Sequence, residues 1–356
     1  MRSLFKAALL AGVMCVSLGG QAMAGGPVFA KGYKPPMDSL GRPDLNGVWT
    51  NSTITPFERP ASFGERTVMT REEVDAAEGR VKAANDLADK PTDPNAKVTD
   101  LPADCSAGRG KNCNYNSAWT DPGSVVMRVG GVARTSILQT PDGRVPANLK
   151  GQRMTRVIEG EETGLGTAQP GAGRGDPAGR NDNPEGRSMG ERCIAMGSPV
   201  PRSGLYNNNY LIQQGRDTVA IWTEMIHEVR MVRLGASHRT DGIRQWGGDP
   251  IGWYEGPTLV VETNGYDPRQ NFYNASDQLK VTERFTRVSP TRIHYAFTVE
   301  DPKTWAKPWG GDYEFASSPG IYEYACHEGN YGLQNILAGA RAEEAEAKSK
   351  TASAGK

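Results

Sequence analysis

Apolar and polar residues alternate along most of the second half of the chain. Over 205–331, seven segments carry the two-residue period of a strand with one buried face: 209–214, 218–223, 225–233, 257–263, 278–287, 291–299 and 320–326. Gly, Pro, Asn or Asp bounds each of them, and the connections read as too short for parallel crossovers. Upstream, Gly47-Val48-Trp49-Thr50 predicts a first strand of the kind that opens a lipocalin-type barrel. Segments 124–128 and 133–139 predict two more, joined at Gly130-Gly131. The pattern therefore predicts an all-β dominated fold, an antiparallel β-barrel (lipocalin-like or related) with long loop insertions and a few short helices.

The helical period appears at 70–88. Val74, Ala77, Val81, Ala84 and Ala88 form a narrow apolar stripe. Thr70 and Glu73 have the spacing of a capping box, and Met69 and Val74 that of a hydrophobic staple. A second, short helix is expected from 333 to 348, fraying into an Ala/Lys/Ser tail. The Gly-rich stretch 160–190 reads as a flexible insertion; it lacks the flanking strand and helix of a nucleotide loop. One β-rich domain is expected over 25–335, with 336–356 as frayed helix and tail.

The first residues change the chemical setting. Arg2 and Lys6 precede an apolar run that ends before Ala22-Met23-Ala24, the pattern of a secretory signal peptide cleaved after Ala24. Cleavage would leave 332 residues with a net charge near −2 and no stable membrane insertion. A periplasmic or secreted location follows as an expectation. The full chain has 41 basic and 41 acidic side chains, so it lacks the basic surplus of a nucleic-acid binder. In an oxidising compartment Cys105, Cys113, Cys193 and Cys326 are expected as disulfides. Pairs 105–113 and 193–326 are the expected connectivity among three possible ones.

Familiar catalytic signatures are missing. The chain has no Gly-x-Ser-x-Gly elbow, no Cys-x-x-Cys and no His-Glu-x-x-His, and only four histidines. No metal and no cofactor is expected. Strand alternation is more informative. Glu283 shares a face with Leu279, Val281 and Phe285, where a carboxylate must be paired or kept for function; Arg230 and Arg284 are the plausible partners. His227 shares a face with Met225, Val229 and Met231, and His294 falls on the more polar face of its strand. Two segments are dense in ligand-orienting residues. One is the 246–256 stretch, with Trp246, Asp249, Trp253 and Glu255 among glycines. The other is 322–331, where a bridged Cys326 would fix His327 beside Glu328, Asn330 and Tyr331.

These motifs carry a resemblance. Asp44-Leu45-Asn46-Gly47-Val48-Trp49-Thr50, Arg134-Thr135-Ser136, Pro141-Asp142-Gly143-Arg144-Val145-Pro146, the aromatic Gly-Asp loop, Leu259-Val260-Val261-Glu262-Thr263 and the Cys326-to-Tyr331 run resemble a family of predicted exported bacterial proteins of similar length. Pro250 stands where that family more often carries Ser. The resemblance implies one fold over most of the chain and no assigned activity.

The functional expectation is a periplasmic, cofactor-independent acid–base enzyme of lyase, decarboxylase or isomerase type, acting on a small aromatic or hydrophobic molecule. His327 would be acid or base, with Glu283 or Glu255 as its counterpart. His227 and Tyr324 would orient the substrate, Trp246 and Trp253 would stack on it, and Asp249, Asn330 and Tyr331 would complete its shell. A periplasmic binding or carrier protein using the same pocket is the alternative, and a hydrolase the third reading.

Overall fold

The computed structural model describes residues 25–88, 95, 121–153, 181–187, 189–195, 198–204, 207–226, 228–270 and 272–354. The strands are β1 (Gly47–Thr50), β2 (Arg128–Val129), β3 (Val132–Ala133), β4 (Asn209–Gln214), β5 (Thr218–Thr223), β6 (Val229–Leu234), β7 (Asp249–Glu255), β8 (Thr258–Asn264), β9 (Lys280–Ser289), β10 (Arg292–Glu300) and β11 (Trp309–Ser317). Among the described residues two α-helices accompany them, α1 (Arg71–Ala88) and α2 (Gly332–Ala354).

Nine strands close into one barrel in the order β1-β11-β10-β9-β8-β7-β6-β5-β4, while β2 and β3 form a separate small hairpin. Around a closed ring each antiparallel neighbour reverses direction, so antiparallel junctions must be even in number. A nine-stranded ring therefore needs a parallel pair. It falls between β6 and β7, where Arg233 faces Ile251 and Leu234 faces Gly252; the other eight junctions are antiparallel. The expectation that every connection is too short for a crossover is corrected here: 235–248 spans the fourteen residues that a parallel return needs.

The alternation read in β9 and β10 sets the lumen. Val281, Glu283 and Phe285 pair in register with Val299, Phe297 and Tyr295. From β11, Trp309, Tyr313 and Phe315 join them, all but completely buried. The rings meet one another: Phe285 and Tyr295 lie 4.9 Å apart by centroid, Tyr295 and Phe315 5.0 Å, and Tyr210 and Phe315 5.5 Å. Side chains thus occupy the space that a lipocalin-like reading would give to an enclosed ligand. Trp49 is buried in the wall, and its indole N–H donates to the Leu45 carbonyl at 3.0 Å.

Several local readings shift. The 246–256 stretch is not a loop; most of it is β7. Segment 320–326 is not a strand and makes a single bridge, Tyr324 to Met225. The 124–128 and 133–139 strands shrink to the β2–β3 hairpin and the isolated bridges at Arg134 and Leu138. Strand β11 escaped prediction because Gly310-Gly311 reads as a turn. Both glycines are required by close approach: a Cβ on Gly310 would stand 2.0 Å from the Phe297 carbonyl oxygen, and one on Gly311 2.4 Å from that of Ile137.

Helix α1 starts as read. The Thr70 N–H donates to Glu73 Oε2 at 2.8 Å, and the Glu73 N–H donates to Thr70 Oγ1 at 3.2 Å. Arg66 also grips Glu73, and these bonds hold the Glu73 carboxyl down to about 2. Helix α2 runs on to Ala354, beyond the expected fraying point, with Glu346–Lys350 one turn apart at 2.7 Å. Among the described residues no helix is long and apolar enough to cross a membrane.

Candidate functional site

The chain leaves β11 through Ser318, whose N–H donates to the Val48 carbonyl and whose hydroxyl meets Asn209 Oδ1 at 2.9 Å. This anchor turns 320–331 across the turn that joins β5 to β6. The Cys193–Cys326 disulfide, with its Cα atoms 5.6 Å apart, then fixes the segment to a part of the chain 133 residues earlier. The expected 193–326 pair is therefore present; Cys105 and Cys113 lie outside the described residues. Tight turns follow: the Glu328 N–H donates to the Ala325 carbonyl, and the Asn330 N–H to that of His327. The Asn330 side chain donates to Cys193 Sγ at 3.3 Å.

The result is a groove of about 300 Å³ lined by the disulfide, Ile226, Ala325, His327, Glu323 and Glu328. His327 is exposed, and two carboxylates share its groove. Tyr322, Tyr324 and Tyr331 are 78%, 39% and 70% exposed, so their rings are surface rather than core. The backbone of the groove is held in an unfavourable shape. Ile226 has φ 63° and Cys193 φ 55°, left-handed values that cost a β-branched residue most. Such conformations persist where surrounding contacts dictate them, and they gather at functional sites.

The structure does not bring the other two expected catalytic carboxylates to His327. Glu283 faces the filled lumen with no exposure, where Arg230 Nη1 meets its Oε2 at 2.5 Å, Arg230 Nη2 its Oε1 at 3.0 Å, and the Tyr295 hydroxyl donates to Oε1 at 2.9 Å. Burial opposes the Arg230 charge, but the Glu283 carboxylate outweighs it and holds the guanidinium protonated above its ordinary range. Burial, with the Glu283 charge behind it, pushes the Tyr295 hydroxyl well up. Glu255 ends β7, at the opposite end of the barrel from the turn before the parallel strand β6. There it accepts from Arg284 at 2.7 Å and from the Trp253 indole at 2.9 Å.

The expected substrate shell also disperses. The Arg269 guanidinium stands 4.9 Å above the Trp246 ring. His227 lies outside the described residues; of the residues expected to share its face, Val229 and Met231 are exposed, while Val232 is buried. His294, expected on the more polar face of its strand, solvated or lining a wet pocket, is 2% exposed, with Nε2 3.4 Å from the buried Asp312; Arg134 reaches the same oxygen at 3.4 Å. Segments far away in sequence cover this outer wall, as the Leu138 bridge to Gly311 shows.

Asp249 anchors a cluster that sequence reasoning missed. Its Oδ1 accepts from Arg233 at 2.6 Å, and its Oδ2 from the Arg239 N–H at 2.8 Å. His238 bridges it to Glu262, with Nδ1 3.2 Å from Asp249 and Nε2 3.1 Å from Glu262. His238 sits in the aperiodic 235–248 connection, where no alternation assigns a face. Asp121 is a second omission: burial, then the charge of Glu224, raise its carboxyl. Among the described residues no three His, Cys, Asp or Glu side chains converge to hold a metal ion. The chain matches no protein-family model, no curated protein and no solved structure.

Proposed function

We propose that this chain is an exported, cofactor-independent acid–base enzyme that takes a small aromatic or hydrophobic molecule at the groove beside Cys326. The observation that carries the reading is the placement of His327 in one groove with Glu323 and Glu328, on backbone strained at Ile226 and clamped by the disulfide. Imidazole is the side chain suited to exchange protons near neutral pH, and a nearby carboxylate can accept or return the proton. Lyase, decarboxylase or isomerase chemistry needs no more than that pair. Glu323 and Glu328 take the counterpart role first assigned to Glu283 or Glu255. The exposed rings of Tyr324 and Tyr331 supply stacking surface, and the disulfide fits an oxidising compartment. The resemblance to exported bacterial proteins agrees with that location.

The test is untargeted metabolite turnover with the purified chain and with His327→Gln. Loss of about 10²–10⁴-fold in rate, with an unchanged circular dichroism spectrum, is the expected result. Unchanged turnover overturns the assignment. A binding or carrier protein is the second reading, and the high exposure of Tyr322 and Tyr331 favours it. It predicts a ligand recovered unchanged, with binding lost in Tyr331→Ala and retained in His327→Gln.

A further inference from the structure

The Cys193–Cys326 disulfide is part of the groove wall, so it meets whatever the groove admits. Its two sulfurs stand in different surroundings. Cys193 is 5% exposed, and the Asn330 side-chain N–H donates to its Sγ at 3.3 Å. Cys326 is only half-buried and is followed directly by the exposed His327.

Thiol–disulfide exchange depends on access to the sulfur attacked, on a thiolate to attack it, and on the stability of the thiolate that leaves. The groove supplies all three. Cys326 offers the more open sulfur. The His327 imidazole lines the same groove and suits the removal of a proton from an incoming thiol near neutral pH. The Asn330 N–H is already aimed at the buried sulfur, where it would stabilise a departing negative charge. A bridge that only clamps two segments needs neither the donor nor the imidazole.

We propose that the groove is a thiol–disulfide exchange site, which takes a small thiol and forms the mixed disulfide at Cys326. The thiol gives its proton to His327. Its thiolate bonds to Cys326 Sγ as the bond to Cys193 breaks, and the electron pair of that bond goes to Cys193 Sγ. The Cys193 thiolate accepts from Asn330 and then takes the proton from His327. A second thiol attacks the sulfur of the first and releases Cys326 as a thiol. The bridge has then gained two electrons and two protons, and the two small thiols leave as one disulfide. A groove of about 300 Å³ fits a thiol of small-peptide size. The exchange is read without any turnover, so it stands or falls separately from the acid–base activity proposed for the same groove.

The experiment treats the folded full chain with reduced glutathione, quenches with acid, alkylates the remaining thiols and maps the peptides by mass. Glutathione on Cys326, with Cys193 recovered as the alkylated thiol, is expected. Asn330→Asp keeps the side-chain shape but replaces the donor by a negative charge. It should slow the exchange about tenfold, the size of one charge-assisted hydrogen bond. His327→Gln should slow it at neutral pH and leave it unchanged at alkaline pH, where the thiol is already ionised. A purely structural effect of that substitution would change both rates. The proposal is overturned if the bond persists in the folded chain at glutathione concentrations that reduce it in urea. It is equally overturned if glutathione is found on Cys193, or if both variants react at the wild-type rate. The wild-type map locates the exchange even where a substitution unfolds the chain.

Discussion

Arg230 and Glu283, 53 positions apart in the chain, lock together through two nitrogens and two oxygens inside a ring-filled lumen, at 2.5 and 3.0 Å. Removing one partner strands the other's charge away from water. Arg230→Met should therefore cost about 3–5 kcal/mol of stability. The double variant Arg230→Met/Glu283→Leu should recover much of that loss, because the residual charge goes with it. Urea unfolding of both variants checks this. Equal losses in the single and double variants would show that the pair does not act as a unit.

The Cys193–Cys326 bond closes a long loop, so its removal frees the unfolded chain substantially. Cys193→Ala/Cys326→Ser should lose about 2–5 kcal/mol. The β-sheet signal in circular dichroism should survive, since neither cysteine belongs to a barrel strand. Turnover or ligand binding at the groove should fall with the disulfide, before the barrel itself melts. A variant with full groove function would sever the link between clamp and site.

Asp249 predicts an acid-sensitive contribution. Burial works against its charge, but the Arg239 N–H, His238 and Arg233 together hold its carboxyl below the usual range. Its stabilisation is complete above the unfolded carboxyl value of about 3.9 and is lost as pH falls through the folded one. Asp249→Asn should lower stability at neutral pH and lose less on acidification than the wild type. Unfolding curves at neutral and acidic pH measure the difference.

Asp121 predicts the opposite sign. Its carboxyl is raised by burial first and by Glu224 second, so its favourable contribution is complete below the unfolded value and fades as pH rises through the folded one. Asp121→Asn should gain stability over the wild type at neutral pH, and the gain should vanish in acid. A constant difference at every pH would rule out repulsion from Glu224 as its source.

Particular residues show why the sequence was readable in some places and not in others. Val281, Glu283 and Phe285 alternate within one long strand, so their inward face and the need for a partner such as Arg230 were legible. Thr70 and Glu73 bond only each other and near neighbours, so the start of α1 was legible too. His294 was misplaced because its cover comes from residues more than a hundred positions upstream, and strand period records only the strand's own two faces. His238 and the parallel junction were missed together: both depend on the path of an aperiodic crossover. The groove beside Cys326 was legible in its motif, Glu328 beside His327 included, but the far wall was not. Cys193 and Ile226 reach the groove through the disulfide and the β5–β6 turn, which local spacing does not record.

The place of β1 bears on how the barrel comes to exist at all. This four-residue strand lies between β11 and β4, pairing Trp49 with both Ser317 and Tyr210. The meander from β7 to β11 joins neighbours in sequence and pays little loop entropy, whereas β1 waits for partners made much later. Loop entropy therefore predicts that ring closure comes late and slowly in folding. Until it happens, β4 and β11 are open sheet edges, and a chain arrested there offers two templates for pairing with another copy of itself.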